Sequence, residues 1–361
     1  MQNPAVSSAP IIGHLDLDAF FAAVELLDRP ELASVPLIVG GDPHGRGVVA
    51  TANYEARRFG IHSAMSCAEA LRRCPRAVFL RPDHARYRLV SRTVWAAVRE
   101  VVPTVERTGL DEGYLQLDEV ATNVREARGL GEAVQAAVRG ATGLTCSIGI
   151  ASTKVVAKVA SDRRKPGGLV VVLPGREAAF LAPLAVRVLP GVGPRSAERL
   201  GAAGIERAGA LAALDDDALA EILPGKIGRL LRDRARGIDT RRLELASENV
   251  SISQEETFAR DVTDRERLHE ELCAMAVRLA ERLARGGQVA RTVSTKLRYP
   301  DFSTRSRSST LPVGTDDAAR IGELACSLLD RALTERPGAL RLVGVTVSNL
   351  ETAVQLALVE P

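Results

Sequence analysis

The chain has 361 residues, 46% apolar and 26% charged, enough for several domains with cores of their own. A net charge of +3 does not by itself announce a nucleic-acid partner. No apolar run approaches the ~18 residues of a membrane helix, and the N-terminal MQNPAVSSAP lacks the basic and apolar regions of an export signal, so a cytoplasmic protein with no membrane partner is expected. Cys67, Cys74, Cys146, Cys273 and Cys326 are scattered without a CxxC, which argues against a disulfide framework, and the five histidines show no zinc-like spacing.

The first apolar run, Ile11, Ile12 and Leu15, reads as a buried strand, and it ends in two carboxylates, Asp16 and Asp18, followed by Phe20 and Phe21. Pro36 to Val39 predicts a short strand, Gly40 to Gly47 a glycine-rich turn, and Val48 to Ala50 a second strand. A helix starts near Asn53, with Tyr54 and Arg57 three apart on one face and Arg58 beside them. A phenol and a guanidinium near a helix start suit a polyphosphate, although a solvated basic face fits the same residues.

Residues 66–102 read as helices with Trp95 and Val98 toward a core. The stretch TGLDEGYLQL, Thr108 to Leu117, predicts a hairpin with Asp111 and Glu112 at its turn. Paired in one sheet, this hairpin and the first strand bring their acids together. Crowded carboxylates repel, and a divalent cation is the usual remedy. Oxygen ligands select hard ions such as Mg²⁺. The chemistry this suggests is phosphoryl or nucleotidyl transfer with two ions about 4 Å apart. From the residues alone, Asp16 and Asp18 are equal candidates.

A helix over 122–140 and a strand over 144–150 complete a strand, helix, strand, strand, helix, strand order once residues 20–82 are set aside, which is the split βαβ, ferredoxin-like α+β arrangement. Next, Lys154, Lys158, Arg163, Arg164 and Lys165 form a basic run, open to anion binding, that Pro166-Gly167-Gly168 closes as a helix end. In LPGVGPRSAERLGAAGI, Gly191 and Gly193 flank a turn and Pro194 opens a helix, the pattern of a helix-hairpin-helix gripping a nucleic-acid phosphate. A charged linker follows over 238–248.

The C-terminal piece predicts a strand over Val250 to Phe258, then a helix capped by Thr263 with Glu266 that carries Leu268, Leu272, Met275, Leu279 and Leu283. Strands over 289–299 and near 306–311, a helix over 316–333 and a strand over 340–350 complete a βαββαβ domain. Lys296, Arg298, Arg305 and Arg307 give it one basic, hydroxyl-rich sheet face suited to a phosphate backbone.

Taken together, HLDLDAFF, VVATANYEARRFGIHSAM, GLDEGYLQL, GIASTKVVAKVASDRRKPGG, LPGVGPRSAERL, the RGID at Arg236 to Asp239 and TKLRYPDFSTRSRSSTL resemble the Y-family DNA polymerases, most closely the bacterial polymerase IV branch. The resemblance implies a right hand: palm over 1–19 and 83–172, fingers over 20–82, thumb over 173–237, little finger over 249–352 and a tail over 353–361. It implies low-fidelity copying of damaged templates without proofreading, by a monomer that takes primer-template DNA and deoxynucleoside triphosphates. Asp16, Asp111 and Glu112 would hold two Mg²⁺ per site, Mn²⁺ substituting, with the Leu17 carbonyl as a further ligand and Asp18 not a principal one. Phe20, Thr51, Tyr54, Arg57 and Lys165 would surround the nucleotide, and Phe21 would be the steric gate that excludes a 2′-hydroxyl. Small residues at Val48 and Ala50 would leave room over the nascent base pair.

Two departures stand out. The family usually has Ser and a small residue such as Ala where this chain has Gly109 and Gly113, which is expected to loosen the hairpin bearing Asp111 and Glu112. The tail Gln355 to Val359 resembles a sliding-clamp peptide, with Val359 where the family prefers Phe. Two other readings fit parts of the pattern: a catalytically weak DNA-binding accessory protein on the same scaffold, and a nucleotidyl cyclase, which would need neither the helix-hairpin-helix nor the basic sheet.

Overall fold

The hydrophobic strand that opens the chain becomes the centre of its largest sheet. The computed structural model describes residues 9–245 and 249–353 and divides into two units, 1–246 and 247–361. In the first unit, β1 (Ile12–Leu17) lies between β6 (Glu112–Gln116) and β7 (Cys146–Ala151), antiparallel to both; β5 (Val105–Arg107) and β8 (Leu169–Val171) extend the edges to give the order β5-β6-β1-β7-β8. The strand, helix, strand, strand, helix, strand order is present, with β8 added parallel to β7.

One face of this sheet is covered by α4 (His84–Val101) and α5 (Val124–Thr142), which bury Trp95, Val98, Val134 and Val138 against Leu15, Leu17, Leu115 and Ile148. Burying each such side chain contributes about 1.5–3 kcal/mol. Helix α1 (Phe20–Asp28) joins the same core through Phe20, Ala22 and Val24. The other face meets α6 (Lys154–Ser161) through Ile12, Tyr114, Val155 and Val159.

A small sheet in the order β3-β2-β4 stands beside this layer, formed by β2 (Leu37–Gly40), β3 (Val49–Ala52) and β4 (Val78–Leu80), with α2 (Tyr54–Arg57) and α3 (Cys67–Arg73). Its core is Ile38, Val49, Ala56, Ile61 and Cys67. Asn53 pins it: its side chain accepts from the backbone N–H of Leu37 and of Ala56 and donates to the Val35 carbonyl. Strand β4 lies within the stretch read as helices over 66–102: Pro75 and Pro82 flank Val78-Phe79-Leu80, which pairs with β2. Residues 173–237 form short helices, α7 (Glu177–Leu181), α8 (Pro194–Ala202), α9 (Ala208–Ala213), α10 (Asp216–Ile222) and α11 (Lys226–Ala235), around Leu181, Leu200, Leu211 and Leu231.

The second unit is a four-stranded antiparallel sheet in the order β11-β10-β12-β9, made of β9 (Ser251–Val262), β10 (Gln288–Arg298), β11 (Thr304–Thr315) and β12 (Leu340–Thr352). Helices α12 (Arg265–Arg285) and α13 (Ala318–Glu335) cover one face, burying Leu268, Leu272, Met275, Leu279 and Leu283 as the periodicity predicts. The cap of α12 is Asp264, whose carboxylate accepts from the backbone N–H of Glu266 and Arg267, and not Thr263. No helix among the described residues is long and apolar enough to cross a membrane.

Candidate active site

Alternation along β1 sends Leu15 and Leu17 into the core and leaves His14 and Asp16 on the α6 side. Asp16 stands opposite Glu112 in the ladder, and the Leu17 N–H donates to the Asp111 carbonyl at 2.9 Å, so all the expected acids meet at one end of adjoining strands. Helix α4 fixes the turn: Trp95 Nε1 donates to the Leu110 carbonyl at 3.1 Å and Ser91 Oγ to the same oxygen at 2.5 Å.

The glycines of this hairpin play a different part from the one expected. A Cβ at Gly113 would lie 2.7 Å from Trp95 Cη2 and 2.6 Å from the Glu106 carbonyl, so Trp95 occupies the space of the missing side chain and the strand is packed, not loose. A Cβ at Gly109 would have the flexible Asp111 Oδ1 nearest at 3.3 Å, with Glu112 Cγ at 3.7 Å and the Asp111 N at 3.9 Å in ordinary contact. The amides of Thr108 and Gly109 both donate to the Glu112 carbonyl at 3.1 Å and close the turn.

The charges separate the carboxylates that the sequence leaves equal. Asp18 is 4% exposed and saturated: Oδ1 accepts from Ser147 Oγ at 2.8 Å and from Tyr54 Oη at 3.3 Å, and Oδ2 accepts from the Gly167 N–H at 2.8 Å. Pro166-Gly167-Gly168 therefore serves this contact; α6 has already ended at Ser161. Asp16 is paired with Lys165 at 2.7 Å, and Lys165 also bridges to Asp162. Glu112 is paired with Lys158 and lies 3.4 Å from His14 Nε2, while His14 Nδ1 is 2.8 Å from Ser161 Oγ.

Burial pushes the Asp16 carboxyl up against the pull of Lys165, and burial together with the charge of Glu112 pushes Asp111 up. The His14 hydrogen bond and the Lys158 ammonium hold Glu112 down at about 2. Burial opposes the charge on Lys165, yet Asp16 and Asp162 keep it above the usual lysine range. A fold that resists ionising two of its acids fits a divalent cation, which reverses that penalty. With Lys165 on Asp16 and Lys158 on Glu112, no three acid, imidazole or thiol side chains among the described residues stand together as metal ligands.

Tyr54 reaches the acids through Asp18, and Arg57 lies over the Tyr54 ring at 5.0 Å with its Nε donating to the Ala52 carbonyl. Thr51 is on β3, which leads into this helix. The Phe21 ring is half-buried and stacked on Tyr87 at 4.2 Å and 15°, with His84 edge-on. The side chain of Phe20 turns away from that of Phe21. Neighbours on a helix point apart, and Phe20, 2% exposed, is core.

Two further expectations are corrected. Lys154 and Lys158 do not form an anion-binding run, since Lys154 is 3% exposed and bonded to both Glu106 oxygens at 2.6 and 2.8 Å, and Lys158 faces Glu112. Nor is there one basic face on the C-terminal sheet. Lys296 and Arg298 share the open face with Ser294, Thr304, Ser306 and Ser308, whereas Arg305 and Arg307 pair across from Leu297 and Thr295 on the helix side, and Arg307 bonds Glu335 of α13. Lys296 is itself paired with Glu255 at 2.8 Å. At the turn before α8, Gly191 has φ +90 and lies under Arg234, which donates to the Pro190 carbonyl at 2.7 Å; Gly193 caps α8. His14, Ser147, Ser161 and Trp95 are the site residues the sequence did not single out in that role; the signal for His14 was its place two residues before Asp16 on the same strand face.

The family model described as the impB/mucB/samB family matches residues 15–162, and that of its C-terminal domain matches residues 249–358. The chain is 43% identical to a DNA polymerase IV of Streptomyces coelicolor over 96% of this chain and 72% of that one, and 42% identical to a DNA polymerase IV of Halorhodospira halophila over 94% of each. Among solved structures, it resembles a Y-family DNA polymerase chimera of Dbh and Dpo4 with a TM-score of 0.84 at 24% identity, and an insertion ternary complex of Dbh DNA polymerase with a TM-score of 0.67 at 24% identity, each over 94% of this chain and 98% of that one. The fold is thus that of a right-hand Y-family polymerase. With acids at the strand ends and relatives of this likeness along nearly its whole length, the chain belongs to the impB/mucB/samB family of Y-family, translesion-type DNA-directed DNA polymerases.

Proposed function

We propose that Asp16, Asp111 and Glu112, with the Leu17 carbonyl, hold two Mg²⁺ ions, which Mn²⁺ can replace, and that this site adds deoxyribonucleotides to a primer 3′-hydroxyl. The observation that carries the proposal is the register of Asp16 opposite Glu112 with Asp111 in the adjoining turn. When bound, the ions would supply Lewis-acid stabilisation of phosphoryl charge and a lowered pKa at the primer hydroxyl. Lys165 would leave Asp16 for the triphosphate, joined by Tyr54 and Arg57 with Thr51 nearby. Asp18, Ser147 and Gly167 would keep that wall in place, and Phe21 on its Tyr87 backing would close the space beside the sugar.

The palm would comprise residues 1–19 and 83–172 together with α1, so that the fingers begin after Asp28 and end near 82; thumb (173–237), linker (238–248), little finger (249–352) and tail (353–361) would follow. Primer-template DNA would be held by the amides around Gly191 and Gly193 and by Lys296 and Arg298 among their hydroxyl neighbours, with Arg305 and Arg307 contributing from the rim of the edge strand. The protein would act as a monomer. Gln355 to Val359 lie outside the described residues; as a clamp-binding peptide they predict that a chain cut after Ala353 no longer binds the sliding clamp. The metal site is tested by Mn²⁺ binding in electron paramagnetic resonance: Asp111→Asn should weaken it at least tenfold, and unchanged binding would remove Asp111 from the ligand set. DNA affinity should fall steeply and linearly on a log–log plot as salt rises.

A further inference from the structure

We infer that Cys273 and Cys326 form a peroxide-sensitive dithiol that closes into a disulfide between α12 and α13. The Sγ atoms are 3.9 Å apart across the seam of these helices. Neighbouring pairs show that the seam is antiparallel and tightly packed. One turn away His269 Nε2 meets Asp330 Oδ1 at 3.1 Å, and on the other side a Cβ at Gly322 would lie 3.7 Å from the Cys273 Cα and 3.4 Å from its Sγ. Without a side chain at Gly322 the helices approach closely here, the condition for a bridge. The bridge requires the sulfur distance to close from 3.9 Å to about 2.05 Å.

The two thiols differ in a way that assigns their roles. Cys273 is exposed and open to a small oxidant; Cys326 is half-buried, its Sγ directed to the His269 carbonyl at 3.8 Å. Burial and the neighbouring sulfur push the Cys326 thiol up to about 12, which keeps it protonated and leaves exposed Cys273 to meet the oxidant first; Cys326 gives up its proton as it attacks in the second step. In the first step the Cys273 thiolate attacks hydrogen peroxide, the O–O bond breaks, and the sulfur is oxidised to a sulfenic acid as water leaves. Cys326 then attacks that sulfur; the S–S bond forms, the S–O bond breaks, and the hydroxyl departs as a second water with the Cys326 proton. Two thiols and one peroxide give one disulfide and two waters. Cys67, Cys74 and Cys146 are buried and stand apart from this reaction.

The bridge would tie together the helices that cover one face of the sheet and leave the face of Lys296 and Arg298 untouched. Oxidation should therefore stiffen the second unit without changing DNA affinity. The test treats the full chain with hydrogen peroxide, denatures it, alkylates the free thiols and maps them by mass spectrometry. Expected is a fall from five alkylated cysteines to three, a cross-linked peptide joining positions 273 and 326 that dithiothreitol releases, and a higher urea midpoint for the oxidised chain. Cys273→Ser should give no cross-link and no stabilisation. Five alkylated cysteines after treatment, or separate sulfinic acids at positions 273 and 326, would overturn the inference. So would protection that a chelator, not a reductant, reverses, since the pair would then be holding a thiophilic cation.

Discussion

Substituting Gly113 by Ala tests whether the hairpin carrying the acids is packed or slack. The added methyl would sit 2.7 Å from Trp95 Cη2 and 2.6 Å from the Glu106 carbonyl, closer than real Cβ atoms come. Neither neighbour can swing aside. The carbonyl belongs to β5, whose Arg107 is the register partner of residue 113, and the indole is held by its bond to Leu110. Overpacking of this kind costs about 1–3 kcal/mol, or ~2–4 °C in melting temperature per kcal/mol for a unit of this size. Because Glu112 is the adjacent residue, a shift near 1 Å would also lower the chemical rate about a hundredfold. Gly109→Ser is the contrast: the nearest atom to its Cβ is a flexible carboxylate oxygen at 3.3 Å and the rest are in ordinary contact, so stability should hold within about 0.5 kcal/mol. The assay is single-turnover nucleotide insertion alongside thermal unfolding of both variants. A Gly113→Ala enzyme that matches the parent in melting and in insertion would refute the packing argument.

Phe21→Ala should raise ribonucleotide over deoxyribonucleotide insertion about 10- to 100-fold, the clash removed being worth ~1–3 kcal/mol; competing single-nucleotide insertions measure it, and an unchanged ratio rejects the gate. Lys154→Met leaves Glu106 buried without its cation and should cost about 3–5 kcal/mol in urea unfolding, with Glu106→Gln added on top costing less than the sum of the two single changes. Glu112 is held at about 2, below its ordinary 4.5. A depressed carboxyl stabilises the fold above its unfolded value and loses that contribution as pH falls toward the folded one. The urea midpoint should therefore decline between about pH 4.5 and 2 more steeply in the parent than in Glu112→Gln; equal slopes would dissociate Glu112 from the Lys158 and His14 pairing.

Much of this site was readable in advance because its signals are local. Acids that end an apolar strand, a DE pair at a hairpin turn, and Tyr54 and Arg57 one helical turn apart each violate or exploit a short-range rule. What stayed hidden depends on long-range packing. Asp18 differs from Asp16 only because Ser147 and Gly167, far along the chain, take up its oxygens. Phe20 and Phe21 look alike in sequence, and only the placement of α1 on the main core separates them. The basic runs misled for the same reason: Lys154 and Lys158 find Glu106 and Glu112 in space, and a single alternation step on β11 puts Arg305 and Arg307 on the opposite face from the partners of Lys296 and Arg298. Gly113 read as slack because Trp95, which fills its space, lies on another element.

The most direct measurement is extension of a labelled primer on a DNA template with Mg²⁺ and all four deoxynucleoside triphosphates, comparing the protein with Asp111→Ala. Template-directed extension by the parent that disappears in the variant is the predicted result. Extension that survives the loss of Asp111 would contradict the assignment of the acids at the β1–β6 edge as the catalytic centre.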